Sequence, residues 1–141
     1  MVKNQRILGV DPGEANLGIA LSDPTQTIAS PLKTIPHASR EEDVDRILAL
    51  AETHSAGKIV IGQALNWDGS ISYQARKAGR LAAALEEQTD LPVVLWNEYG
   101  STQKARQARQ KMGVSREKRA GHLDELAAVF ILQSYLDAEG S

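Results

Sequence analysis

The chain has 141 residues, the length of a single domain spanning 1–141. It carries 16 Lys and Arg against 18 Asp and Glu, a net charge of −2, and its 42% apolar content is that of an ordinary folded domain, which excludes wholesale disorder. No run approaches the ~18 apolar residues that cross a membrane. The absence of cysteine excludes a disulfide scaffold, a thiolate zinc site and a Cys nucleophile. Residues Met1 to Gln5 lack the apolar core of a secretion signal, so a cytoplasmic location is expected.

In chain order, Arg6–Val10 is a short apolar strand that stops at the turn signal Asp11-Pro12-Gly13. Leu17–Ser22 is a second strand, ended by Asp23-Pro24. A third extended piece from about Thr27 to Ile35 contains Pro31, which suits a sheet edge. Three strands joined by short turns predict an antiparallel meander. Ser39 then caps a helix to about His54, with Glu41, Glu42 and Asp43 in its first turn, where the helix dipole favours anions. Lys58–Gly62 is a buried strand, Ser72 to about Thr89 an Ala-rich helix, and Pro92–Trp96 another strand. Ser101–Met112 is a basic helix and Leu123–Leu136 an apolar one. The order βββαβαβαα predicts an α/β fold, with a five-stranded mixed sheet and helices on both faces.

Charge is unevenly spread. Lys104, Arg106, Arg109, Lys111, Arg116, Lys118 and Arg119 face only Glu117 within 104–119, so this stretch carries +6 between two regions of −4. Such a segment is a candidate for contacts with nucleic-acid phosphates, against the commoner role of a solvated helix face.

Three acids occupy informative positions. Asp11 ends the first strand, Glu98 follows the last strand by two residues, and Asp124 opens an otherwise apolar helix. Ligands of open α/β sheets bind beyond the carboxyl ends of strands, so Asp11 and Glu98 share a neighbourhood if their strands approach. Clustered carboxylates repel one another, by roughly 4 kcal/mol per pair at ~4 Å and an effective dielectric of about 20. A hard divalent cation, Mg²⁺ or Mn²⁺, removes that cost. Two such ions activate water and stabilise a leaving oxygen in phosphodiester hydrolysis. Each acid also has a structural role open to it: turn former for Asp11, solvated loop acid for Glu98, helix cap for Asp124. In the loop before the second helix, Asn66 and Ser70, with Asp68, are candidates for lining a substrate groove or for shaping the loop itself. Trp67 and Tyr73 are candidates for stacking on bases, with a core or interface role the alternative for Trp67. His37 and His54 fall in surface turns and helix ends with no partner pattern.

These residues resemble a known family. Ile7-Leu8-Gly9-Val10-Asp11-Pro12-Gly13 with Gly18-Ile19-Ala20 and Ser22-Asp23 is similar to the opening of the YqgF/RuvX proteins, pre-16S rRNA nucleases also called Holliday-junction-resolvase-like. Gly62 with Leu65-Asn66-Trp67-Asp68-Gly69-Ser70 resembles their central loop. Leu91-Pro92-Val93-Val94-Leu95-Trp96 with Glu98, Ser101-Thr102 and Ala105 resembles their strand-five motif. Gly113-Val114-Ser115-Arg116 and Asp124-Glu125-Leu126-Ala127-Ala128 complete the set, from about Arg6 to Asp137. The resemblance implies an RNase H-like fold and two-metal nuclease chemistry, with Asp11 as the bridging ligand and Glu98 and Asp124 completing the set. It implies RNA as substrate, in pre-16S rRNA processing, with branched DNA cut by a homodimer as the alternative. A non-catalytic nucleic-acid-binding scaffold is the second alternative. The chain departs from the family where Asn97 and Tyr99 replace an acid and an Arg around Glu98, and where Gly100 replaces a bulkier residue. Gly121 stands where related resolvases have a fourth acid.

Overall fold

The structure, a computed structural model, describes residues 5–65, 68–97 and 120–140. Strand β1 (Arg6–Pro12) lies at the centre of a five-stranded sheet. Strands β2 (Asn16–Ser22) and β3 (Ala29–Pro36) continue outward from it antiparallel. Strand β4 (Ala56–Gln63) lies parallel on its other side, followed by β5 (Val93–Asn97), giving the order β3-β2-β1-β4-β5. The expected meander is β1 to β3. Strand β3 is an edge, and its register slips at Pro31, which pairs with Ala20 while Lys33 pairs with Ile19. Proline cannot donate to the ladder, so the bulge falls where a hydrogen bond is missing in any case.

Helix α1 (Arg40–Thr53) leads from β3 to β4, and α2 (Tyr73–Gln88) from β4 to β5. Ser39 caps α1 as the sequence predicts, and Ser72, where the second predicted helix starts, caps α2. The Glu42 N–H donates to Ser39 Oγ and the Ala75 N–H to Ser72 Oγ, each at 3.1 Å. Helix α3 (Ala120–Glu139) begins three residues before the predicted Leu123 and runs three beyond Leu136. The predicted basic helix at 101–112 lies outside the described residues.

Alternation along the strands sorts the core into two layers. Leu8, Val10, Leu17, Ile19, Ile59 and Ile61 point toward α1 and α2. Ile7, Ala20 and Val60 point toward α3 and its Ala128, Ile131 and Leu132. The helix settles close to the sheet because small residues lie beneath it: a Cβ on Gly9 would stand 2.8 Å from Leu132 Cβ. Polar ties fix its direction. Gln133 accepts from the Ala29 N–H and donates to the Thr27 carbonyl, both at 2.9 Å. Thr34 donates to Glu125 (3.2 Å), and Lys58 Nζ donates to Tyr135 Oη (2.8 Å). Tyr135 also meets Trp96 edge-on, with centroids 5.3 Å apart. Among the described residues no helix is long and apolar enough to cross a membrane.

Candidate active site

Asp11 is the sixth residue of β1, half-buried at the carboxyl end of the central strand. The chain turns immediately after it. The Gly13 N–H donates to the carbonyls of Asp11 (3.1 Å) and Asn16 (3.0 Å), and a Cβ at Gly13 would lie 2.6 Å from the Asn16 oxygen. The turn therefore needs glycine at 13, whereas Asp11 belongs to the strand itself. Residues 7 and 9 of β1 face α3, so alternation sets Asp11 on that same face.

Across the β1–β2 ladder Asp11 pairs with Gly18. Over Gly18 passes the backbone of α3: a Cβ there would fall 1.8 Å from the Asp124 carbonyl oxygen and 2.4 Å from its carbon. Gly18 thus brings the Asp124 backbone against the residue beside Asp11, and it is the positioning residue that the sequence reading missed. The available signal was a glycine inside a strand pattern, which often marks the close approach of another backbone.

Asp124 is half-buried and lies four residues inside α3 rather than opening it. That distance exceeds the residue or two by which helix ends are uncertain, so Asp124 is not the cap that the sequence offered as its structural role. Position 62 of β4 is also glycine. Ile61 pairs with Val10, and Gly62 pairs with Trp96 of β5, so the sheet offers little side-chain bulk on either side of Asp11.

Strand β5 does not adjoin β1, because β4 intervenes. At ~4.8 Å per strand the two backbones are about 10 Å apart. Val94 and Trp96 of β5 pack on the α3 side, the side of Asp11. Glu98, Asn66 and the basic residues Lys104, Arg106, Arg109, Lys111, Arg116, Lys118 and Arg119 lie outside the described residues. Among the described residues, no group of three His, Asp or Glu is placed to hold an ion. The carboxylates of Asp11 and Asp124 are hard oxygen donors of the kind that suits Mg²⁺ or Mn²⁺, and α3 brings the Asp124 backbone against the strand residue beside Asp11.

Ser70 is exposed. Its N–H (2.9 Å) and hydroxyl (2.7 Å) donate to Asp68 Oδ1 and hold that carboxyl below its usual range, the hydroxyl contributing most. These bonds help to shape the loop. The loop lies at the same end of the sheet as Asp11, since Gln74, just inside α2, donates to Glu14 of the β1–β2 turn at 2.8 Å. The expectation that His37 lacks a partner is corrected: its Nδ1 lies 2.5 Å from Oδ2 of Asp43, which is only 2% exposed and also accepts from the Ala38 N–H. The partner is six residues away, brought back by the corner between β3 and α1.

The family model described as "RuvX: Holliday junction resolvase" matches residues 5–138. The chain belongs to this family. A protein of Syntrophus aciditrophicus named "Putative pre-16S rRNA nuclease" is 43% identical over 133 residues, covering 94% of this chain and 89% of its own length. One of the same name from Thermoanaerobacter pseudethanolicus is 38% identical over 135 residues, covering 95% and 97%. Among solved structures, Thermus thermophilus RuvC bound to a Holliday junction substrate superimposes with a TM-score of 0.60 at 15% identity, over 97% of each chain. Fowlpox virus resolvase bound to Holliday junction DNA gives 0.58 at 14%, over 97% and 100%. The fold is the RNase H-like one that the resemblance implies.

Proposed function

We propose that this chain is a metal-dependent endonuclease that hydrolyses phosphodiester bonds of RNA, acting in the cytoplasm on the 5′ end of pre-16S rRNA. The observation that supports it is the approach of the Asp124 backbone to Gly18, the ladder partner of Asp11 at the carboxyl end of the central strand. Asp11, Asp124 and Glu98, the residue that follows β5, would hold two Mg²⁺ or Mn²⁺ ions, with Asp11 the central ligand of the set. Bound there, the ions supply an activated water and charge neutralisation at the leaving oxygen. The protein's own contribution is position. The strand end carries Asp11, and the glycine at 18 lets the helix backbone that carries Asp124 come against the strand beside it. The segment from Lys104 to Arg119, together with Asn66 and Ser70, holds the nucleic-acid strand.

The names of the relatives favour RNA. The family description and the two resolvase complexes favour a second reading, cleavage of branched DNA. Resolving a junction needs two active sites and hence a homodimer, whereas a monomer suffices for RNA.

The test is a cleavage assay on single-stranded RNA, duplex RNA, single-stranded DNA and a four-way DNA junction, each with Mg²⁺, Mn²⁺ or EDTA. Cleavage that persists in EDTA, or in Asp11→Asn, overturns the metal–carboxylate mechanism. Binding without cleavage on every substrate makes the chain a scaffold.

A further inference from the structure

Behind the Asp11 face, round the end of the sheet, lies a cavity of about 240 Å³. Pro12 and Gly13 of the β1–β2 turn form one wall, the start of α1 a second, and the first turns of α2 a third. Its floor is apolar, from Leu17 and Leu81. Its rim is cationic: Arg40 from α1, and Lys77 and Arg80 from α2. Among the described residues, Asp43 is the one carboxylate in the lining, and its oxygens are directed to His37 and the Ala38 N–H. Among the described residues, no carboxylate forms an ion pair with Arg40, Lys77 or Arg80.

Tyr73 lines the same cavity. It is 68% exposed, and Lys77 Nζ lies 6.0 Å from its ring centroid. Tyr73, Lys77 and Arg80 recur at i, i+4 and i+7, so they form one stripe along α2. A large exposed aromatic beside unpaired cations is poorly explained by folding, because it buries little apolar surface and neutralises no charge. It does match what a nucleic-acid strand requires, with cations for the phosphates and a ring for a base.

We propose that this cavity is a second nucleic-acid contact, which binds the backbone of the substrate strand outside the scissile bond. Lys77, Arg80 and Arg40 hold phosphates, and Tyr73 stacks on a base. Asp11 and Pro12 are consecutive residues, one on the candidate active-site face and the other in the cavity wall, so a strand passing over the β1–β2 turn reaches both. The inference rests on the nuclease reading and adds a contact that the reading itself does not require.

The test measures binding of a labelled single-stranded RNA against salt, in EDTA and in an Asp11→Asn background that prevents cleavage. Losing two phosphate contacts in Lys77→Ala/Arg80→Ala reduces the slope of log K against log salt by about 1.4, at ~0.7 per contact for single strands. Tyr73→Ala lowers affinity at least ~5-fold, while Tyr73→Phe keeps it, because stacking uses the ring face and not the hydroxyl. Lys33→Ala, a cation removed from the exposed edge strand, keeps affinity and serves as the charge control. An unchanged slope in the double variant, with RNA still bound by the Asp11→Asn parent, overturns this inference and leaves the nuclease reading standing. Failure of the parent to bind any nucleic acid overturns both. Loss of inorganic phosphate binding in the double variant, with strand binding intact, reassigns the cavity to a free anion and overturns the strand contact.

Discussion

Replacing Gly18 by alanine tests whether the closeness of α3 to β2 sets the site. The added Cβ lies 1.8 Å from the Asp124 oxygen and 3.2 Å from the Glu125 nitrogen. Ordinary contact begins near 3.4 Å, so helix and strand must separate by roughly 1.5 Å, and neither obstructing group is a side chain able to rotate away. Overpacking of this kind costs about 1–3 kcal/mol, or ~3–12 °C in Tm for a chain of this size. Under the proposed function the separation moves Asp124 relative to Asp11, and a displacement near 1 Å at a group that takes part in catalysis costs on the order of 100-fold in rate. Gly9→Ala is the comparison. Its Cβ meets Leu132 Cβ at 2.8 Å and Cδ2 at 3.3 Å, a smaller overlap than the 1.8 Å at Gly18 and one that involves no backbone atom of Asp124. It is expected to cost roughly 1 kcal/mol and to leave the rate within ~3-fold. The assays are thermal melts followed by circular dichroism and cleavage of whichever nucleic acid the substrate panel above shows to be cut. A folded Gly18→Ala that loses no more activity than Gly9→Ala refutes the reasoning.

Three further outcomes follow from local contacts. Leu132→Ala empties a fully buried position over Gly9 and is expected to destabilise by about 2–5 kcal/mol in denaturant melts, with a smaller loss indicating that the site collapses. Ser72→Ala removes the acceptor for the Ala75 N–H at the start of α2 and costs ~1 kcal/mol by the same assay, while Ser72→Asp restores it. Asp23 accepts from the Ile28 N–H, the Thr25 hydroxyl and the Thr27 N–H, and these hold its carboxyl well below the usual range. A depressed folded pKa gives stability that is present above the unfolded value near 3.8 and is lost as pH falls through the folded value. The Tm advantage of wild type over Asp23→Asn is therefore steady from pH 7 to about pH 4 and shrinks in stronger acid. A difference that stays constant down to pH 2 contradicts this assignment.

The basic residues from Lys104 to Arg119 offer a salt-dependence test of their own. Arg106→Ala/Arg109→Ala is expected to flatten the salt dependence of RNA binding, and an unchanged slope means that neither side chain contacts phosphate.

Local chemistry determined much of what the sequence shows. Strand alternation, the serine caps and the edge position of the Pro31 strand depend on a few consecutive residues, and all are present in the fold. Asp11 could be selected because a carboxylate at a strand end is visible in order alone. What tertiary structure decided is every relation between distant residues. Asp124 opens its helix when judged by apolar periodicity, yet α3 begins at Ala120, because Gly121 and His122 lower helix propensity without forbidding the conformation. His37 has no partner in its local pattern, and the β3–α1 corner supplies Asp43. Strand β4 enters between β1 and β5, since a parallel neighbour is chosen by the crossover and not by proximity in sequence. Gly18 reads as a weak point in a strand until the backbone of α3 is laid across it. Periodicity states which face of an element is apolar, but it does not carry the identity of the element that covers that face. That choice rests on the fit of side chains and backbone brought together by folding, and here it lays the Asp124 backbone against Gly18, the ladder partner of Asp11.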